Sequence, residues 1–545
     1  MCQTPAAIPN TSKSGHSDDG RHHSAPPLPG LSKSKLVITT LPSATDEDPF
    51  LKPKLPISDI NPFPLFSTFV EAKSLLSLAF PIILTGLLLY SRSMISMLFL
   101  GRLGSLPLAG GSLAMGFANI TGYSVLSGLA TGMEPICTQS HGAGRPHLLA
   151  TALRRTVLLL LSASVPISLL WLSMRRILVF CGQDPAIAAA AHSFILFSLP
   201  DLLLLSLLHP LRIYLRSQSI TLPLTAAAAA AVSLHFPINY LLVPHLGLGI
   251  PGVALASVIT NLNLVLLLLL YLRISGLHRP VAPSHDEDTF SLAGWRALLS
   301  LSIPSCASIC LEWWWYEIMV LLCGVLLHPQ ATVASMGVLI QTTSLIYIFP
   351  HSLGASVSTR VGNELGANQP DRARRATGVG LACGALLGVT AFLFSFSVRN
   401  IWARIFTADA EIISLTASVL PILGLCELGN CPQTTGCGVL RGSARPRVAA
   451  NINLGSFYGV GMPVSVLLAF FVGLDFRGLW IGLLFAQATC LVLMLTVIYR
   501  TDWGRQARRA QFLTGGGGGG GVVDGEEGCM LVNIKVEQCG GMQSQ

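Results

Sequence analysis

Apolar runs long enough to cross a bilayer recur along most of this chain, and that recurrence leaves few folds open. Residues 187–209 and 251–272 are two such runs, and roughly 20 apolar residues suffice to span hydrocarbon. Inside a bilayer each backbone N–H and C=O has to find a partner within the protein, so only helices and closed barrels cross it. The runs here are continuous rather than alternating, which selects helices. Charged residues make up 11% of the 545, against about 25% in soluble domains. The expected fold class is therefore an all-α polytopic membrane protein.

Twelve helices are expected, near 75–98, 107–131, 154–174, 187–209, 220–242, 251–272, 297–325, 332–355, 376–398, 411–437, 448–472 and 478–499. The segments at 107–131 and 411–437 carry the weakest signal, being rich in Gly, Ser and Asn. The chain opens on a polar, Pro/Ser-rich stretch rather than a short apolar core behind a basic start, so the first span is expected to act as its own insertion signal. Residues 1–70 are expected to form a disordered tail. A basic run at Arg505–Arg509 and a seven-glycine tract at 515–521 lead into a second disordered tail, 501–545. That tract lacks the Lys-Ser/Thr of a phosphate loop. The 13 cysteines form no CxxC pair, and several sit inside apolar spans, where a thiol behaves as a small hydrophobe. No metal and no cofactor is expected.

The net charge of +8 is spread over loops and tails, so no nucleic-acid partner is implied. Loop arginines instead set orientation, because cytosolic loops are enriched in them. Fifteen lie in or beside the loops after even-numbered helices, among them Arg212, Arg216 and Arg441. Six (Arg102, Arg175, Arg176, Arg399, Arg404 and Arg477) lie on the other side. Both termini are expected in the cytosol.

The chain also resembles itself. "SLAFP" (77–81) pairs with "SLSIP" (300–304), and "HGAGRP" (141–146) with "LGANQP" (365–370). "YLRSQS" (214–219) pairs with "VLRGSA" (439–444), and "GLGIPGVALA" (247–256) with "GLDFRGLWIG" (473–482). The offset is nearly the same each time, and four pairs in order indicate duplication. Six helices per half is an even number, so both halves enter from one side and the repeats are parallel. The expected division is an N-lobe at 71–275, an inter-lobe loop at 276–296 and a C-lobe at 297–500. In transporters built from such repeats the substrate lies between the halves.

Acid inside the spans is sparse and lopsided. Asp201 lies deep in the first half; Glu312, Glu317 and Glu427 lie in the second. A charged side chain at the bilayer centre costs roughly 2.5–3.5 kcal/mol on insertion scales, so each needs a reason to be there. Withdrawal from water favours the neutral acid, which lets a carboxyl group exchange protons, while an arriving organic cation favours the ionised form. Glu312 and Glu317 sit in "CLEWWWYEIM" (310–319) and are five residues apart, about 140° around a helix at 100° per residue, so they face different ways. Trp315 and Tyr316 share the face of Glu312 and offer π surfaces to a cationic or flat aromatic solute. Because three consecutive tryptophans point all round a helix, at least one is expected to do no more than pack. Glu427 precedes Pro432, which removes a backbone hydrogen bond; freed carbonyls there, with Asn430 and Gln433, are expected to line a polar cavity. Asp201 is expected to order the Pro200 kink rather than to bind substrate.

The segments "GMEPICTQSHGAG" (132–144), "CLEWWWYEIM", "STRVGNELGANQP" (358–370) and "GVLRGSARP" (438–446) resemble those of plant members of the multidrug and toxic compound extrusion (MATE) family, also called DETOXIFICATION proteins. The likeness covers about 75–500. It implies two six-helix lobes arranged as a V, no ATP hydrolysis, and export of small organic solutes in exchange for protons, by a monomer whose driving force is the proton gradient. It also implies a functional acid at Glu427. Two positions depart from relatives: Gln341 stands where animal-type members carry an acid, and Tyr90, Ser91 and Arg92 where many bacterial members carry an aspartate.

Two other readings compete with a proton-coupled antiporter. An intramembrane enzyme would need paired catalytic groups at one depth, and the spans offer no His–acid pair at helical spacing. A lipid or lipid-linked precursor flippase would need a cationic cleft, whereas the sequence places essentially Arg92 alone at depth. No targeting signal separates the plasma membrane from an endomembrane such as vacuole, Golgi or late endosome.

The arginine asymmetry makes a direct prediction. An epitope tag placed after Gln545 will be inaccessible to antibody in intact cells bearing the protein at the plasma membrane, and accessible once they are permeabilised. Staining of intact cells would overturn the orientation.

Overall fold

The computed structural model describes residues 65–276 and 289–515. The rest of the expected N-terminal tail, most of the inter-lobe loop, and the glycine tract from 516 onward lie outside the described residues. All described helices belong to one compact unit, Phe63–Gln545.

Among the described residues, twelve helices are long and apolar enough to span a bilayer. The first half holds α1 (Leu65–Leu103), α2 (Ser105–Gly142), α3 (Pro146–Leu172), α4 (Pro185–Ser217), α5 (Leu222–His245) and α6 (Ile250–Ile274). The second holds α7 (Leu292–Cys323), α8 (Pro329–Gly366), α9 (Pro370–Val398), α10 (Ala410–Gly442), α11 (Pro446–Phe471) and α12 (Asp475–Tyr499). Proline opens α3, α4, α8, α9 and α11, a position where its missing N–H has no helical partner to lose.

Several boundaries differ from the sequence reading, among them the end of α8 at Gly366 rather than 355, the end of α4 at Ser217 rather than 209 and the start of α3 at Pro146 rather than 154. The first helix starts at Leu65, inside the expected tail, and α7 starts at Leu292, inside the expected inter-lobe loop. The polar segment expected at 107–131 extends to Gly142, carrying a π turn at Asn119–Tyr123. A thirteenth helix, α13 (Trp503–Leu513), occupies the start of the tail expected to be disordered. Asp502 caps it by accepting the Arg505 N–H at 3.0 Å, its small face (Ala507, Ala510) is buried against α8 and α9, and Gln511 Nε2 donates to the Gly366 carbonyl at 2.8 Å. Its arginine-rich sequence suggested a solvated charge run because only the alternate face packs.

Each half has its own apolar core. The central helix of the first is α4, packed on α2, α3 and α6; that of the second is α10, packed on α8, α9 and α12. The two halves repeat one another in backbone detail. Left-handed residues recur at Gly144 and Asn368 (φ 69° and 56°) and at Ser219 and Ala444 (φ 62° and 58°), just past helix ends, where such a residue closes the final turn. The π turns Leu241–His245 and Leu467–Phe471 recur likewise.

The first helix of each half also reaches across the seam near its start, while its later turns stay in its own core, with Phe99 and Leu100 of α1 in the first and Trp315 and Met319 of α7 in the second. Leu75 of α1 is buried in the core of the second half, and Leu298 of α7, its equivalent by the internal repeat, in the core of the first. Around the same axis Gly142 lies against Asn363 and Gly366 against Gln139; the repeat aligns Gly142 with Gly366 and Gln139 with Asn363. Gln139 Nε2 donates to the Gly442 carbonyl at 2.9 Å, and the Asn363 amide, oriented to satisfy both its ends, donates to the equivalent Ser217 carbonyl at 3.3 Å. Reciprocal contacts of this kind are the mark of a two-fold relation. Because both copies of each pair lie at one face of the molecule, the repeats are parallel. That face also carries the start of α1, where Arg360 grips Glu71 at 2.8 Å, and α13; we call it the terminal face.

Within the C-lobe, α8 and α10 cross where a side chain on Gly438 would meet the Gly354 carbonyl. Gly438→Ala will therefore lower the thermal unfolding midpoint of the purified protein, at a cost of about 1–3 kcal/mol for overpacking. Gly378→Ala, at an exposed site with open space around it, will leave the midpoint unchanged or slightly raised, since Ala is the better helix former. Equal midpoints for both variants would refute this packing.

Candidate functional site

Where the two halves meet, they enclose a cavity of about 210 Å³. The first half lines it from α2 (Ser127, Thr131) and α4 (His209, Arg212, Arg216). The second half lines it from α7 (Glu312, Trp313), α8 (Tyr347, His351), α10 (Thr434, Cys437, Arg441) and α11 (Pro446, Ala449). Next to its lining residues Arg216 and Arg441, the halves are tied by the reciprocal Gln139–Gly442 and Asn363–Ser217 contacts.

Of the residues singled out from sequence, Glu312 lines this cavity. Tyr347 and Arg441 are its polar neighbours. Glu427 sits one layer deeper, 2% exposed. Its Oε2 accepts from Asn430 Nδ2 at 2.9 Å and from Cys431 Sγ at 3.7 Å. Asn430 Oδ1 in turn accepts from Thr434 Oγ1 at 3.3 Å and Gln487 Nε2 at 3.4 Å. Gln433 is buried beside them, donating to Cys437 Sγ at 3.4 Å. Tyr316 lies between the two acids and interacts with both. Glu312, Tyr316, Glu427, Asn430 and Gln433 thus form one polar cluster on α7 and α10, and its Glu312 edge opens into the cavity.

The other candidates lie elsewhere. Trp315 does not line the cavity: it is fully buried in the C-lobe core, its ring 5.6 Å from that of Phe457 and 6.1 Å from that of Tyr458. The tryptophan at the cavity wall is Trp313. Trp314 spans the lobes, its Nε1 donating to the Ile120 carbonyl in the π turn of α2 at 3.2 Å. Glu317 faces Gly116 of α2, away from Glu312, as their spacing on the helix requires. Gln341 accepts from the Tyr90 hydroxyl at 3.4 Å, joining α8 to α1. Asp201 is 5% exposed and belongs to a chain in the first half. Arg92 donates to Asn261 Oδ1 at 2.6 Å, Asn261 Nδ2 to Asp201 Oδ1 at 2.6 Å, and the Tyr123 hydroxyl to Asp201 Oδ2 at 3.3 Å. That chain ties α1, α2, α4 and α6 together, a wider role than ordering one kink.

Charge is where the sequence reading has to be corrected. The sequence suggests Arg92 as the one arginine at depth, yet Arg212, Arg216 and Arg441 all line the cavity. Sitting near helix ends, they read as loop arginines that set orientation. A signal for them is present: the pairing of "YLRSQS" with "VLRGSA" aligns Arg216 with Arg441, the matching ends of the two central helices. Arg216 pairs with the buried Glu134 at 2.8 Å.

Comparison with known proteins agrees with this architecture. The MatE family model matches twice, at residues 81–241 and 304–467, once in each half. Protein DETOXIFICATION 49 of Arabidopsis thaliana is 62% identical over 479 residues, covering 88% of this chain and 95% of that protein. Protein DETOXIFICATION 48 of the same plant is 60% identical over 457 residues, covering 84% and 86%. The crystal structure of the eukaryotic MATE transporter AtDTX14 is 32% identical and superposes with a TM-score of 0.78, covering 82% of this chain and 99% of that one. That of the Vibrio cholerae MATE transporter VcmN in the bent form, 18% identical, shares the fold with a TM-score of 0.69, covering 82% and 99%.

Proposed function

The chain belongs to the MatE family, whose members are transporters and not enzymes, and on that premise we propose that it is a proton-coupled antiporter exporting small organic solutes from the cytosol. The observation that carries this reading is the placement of Glu312 on the wall of the inter-lobe cavity with Glu427 directly behind it on the central helix. In this reading the terminal face is the cytosolic one, the membrane is the plasma membrane or an endomembrane, and one chain is the working unit.

Coupling of this kind needs an element with two arrangements that proton and solute favour differently. Helix α10 is suited to it. It carries Glu427, Pro432 and Arg441 in sequence, and Pro432 leaves the Leu428 carbonyl without its helical partner. Ionised Glu427 is a strong acceptor for the Asn430 amide; a proton on the carboxyl weakens that bond and slackens the turn beside Pro432. The end of α10 that forms the cavity floor then shifts relative to α8. At the terminal face the halves meet through glycines and a few polar bonds, which suits rocking about the common axis.

Glu312→Gln and Glu427→Gln test the mechanism, since glutamine keeps size and hydrogen bonding but fixes the neutral state. In vesicles with an imposed pH gradient, each variant will lose the gradient-dependent part of solute efflux at unchanged membrane abundance. Coupling between sites is typically about 5–150-fold in affinity, so the loss is expected to reach at least about fivefold. Full gradient-driven efflux in both variants would rule out carboxylate coupling in the C-lobe.

A further inference from the structure

We propose that the inter-lobe cavity is a site for organic anions: solutes carrying a carboxylate, sulfate or phosphate on a small body, held by Arg212, Arg216 and Arg441. This deepens the exporter reading and rests on it for the assignment of the cavity as the transport path.

The first support is charge. Among the described lining residues Glu312 is the one acid, set against three guanidinium groups. Including Glu134 behind Arg216, three positive charges face two negative ones, leaving one positive charge uncompensated when both acids are ionised. An arginine withdrawn from water without a counter-charge is costly, more so at membrane depth.

The second is how the repeat is broken. Arg216 and Arg441 hold equivalent places in the two halves and reach the same cavity from opposite lobes. Arg216 has Glu134 as its partner. The position equivalent to Glu134 in the second half is Ser358, so duplication supplies no second carboxylate for Arg441. Among the described residues neither Arg441 nor Arg212 has an ion pair within 4 Å, and the Nε atoms of both Arg216 and Arg441 are buried with no hydrogen-bond partner. Guanidinium groups with spare donors match the planar geometry of carboxylates and the oxygens of phosphates.

The third is the remaining wall. Trp313, Tyr347 and Ile309 give the cavity aromatic and aliphatic sides for an apolar body. Its 210 Å³ is well above the space one water needs and gives room for a small ring or a short acid chain. A cation there would meet three guanidinium groups. An anion meets two opponents, Glu312 on the wall and Glu134 behind Arg216, and Glu312 competes with it for Arg441 until protonated. Protonation of Glu312 thus sets when the cavity accepts the anion, the opposing proton of the exchange cycle is carried at Glu427, and gradient-driven export needs both carboxylates.

The test uses the purified full chain. Binding of radiolabelled p-aminohippurate and citrate is measured in detergent against tetraethylammonium, and counterflow of the same probes in proteoliposomes. At least one anion is expected to bind saturably and about tenfold or more tighter than the cation. Arg441→Gln and Arg212→Gln will each weaken that anion about tenfold, the scale of a lost charge-assisted bond. Arg441→Lys, which keeps the charge, will recover part of the loss, and Arg372→Gln, exposed outside the cavity, will change nothing. The proposal is overturned if tetraethylammonium binds tighter than both anions, if neither anion binds, or if the arginine variants weaken cation and anion alike. It is also overturned if only a labelled phosphatidylserine is moved. Arginine-dependent anion binding without counterflow would instead refute export and leave the anion site standing, whereas counterflow of the cation alone would do the reverse.

Discussion

The crossing of the two first helices at the seam between the halves is the contact on which the rest of the molecule depends. Lipid tails are as apolar as leucine, so no hydrophobic force draws one bundle of spans to another; close packing and a few polar bonds have to do it. Placing Leu75 in the second core and Leu298 in the first ties the start of each first helix into the opposite half. Small residues then bring backbones together: Gly128 meets Cys306, and Gly132 meets Ser302. With the halves held at their crossing helices and at the terminal face, the space left between α4 and α10 becomes a polar cavity rather than a packed seam.

Duplication gave both halves a polar cluster beside the central helix, but the clusters have diverged in charge. In the first half Asp201 is joined to Arg92 through Asn261, so its acid has a cation on the same chain of bonds. In the second, Glu427 is held by Asn430, itself bonded to Gln487, with no cation in its chain of bonds. Arg92 aligns with Trp315 when the first helices of the two halves are matched, and that tryptophan is core. The substitution leaves the second half without that arginine. This asymmetry accords with the proposed proton exchange in the C-lobe.

The fold was legible because its signals are long: each span offers a long apolar run, and the repeat offers four ordered matches. Glu312 and Glu427 were legible for a related reason, since a carboxylate in an apolar run stands out. What could not be read was direction. Trp315 and Trp313 are two positions apart on one helix, and nothing in "EWWWYE" says which one meets the cavity; the Phe457 and Tyr458 rings that claim Trp315 come from α11, far along the chain. The same limit hid α13, whose buried alanines matter only because α8 and α9 end beneath them. Arg212, Arg216 and Arg441 were misread because an arginine near a span end has two physical explanations, membrane orientation and function, and composition cannot separate them.

Those two explanations need not exclude each other. Arg216 and Arg441 end the central helices at the terminal face, where a positive charge orients the span during insertion. Once the spans assemble, the same guanidinium groups are carried inward against the opposite half and lose their water. A residue whose charge is needed for insertion thereby becomes a charge that the folded protein has to neutralise. In the first half Glu134 does so directly. In the second, Arg441 interacts with Glu312, on a different helix and open to the cavity, and with Glu134. In the proposed site a solute anion and Glu312 would contend for one guanidinium group at the end of the helix that holds Glu427. The solute, the cavity acid and the deeper acid would then be coupled because α10 carries both the arginine and the second carboxyl, with Pro432 as the soft turn between them.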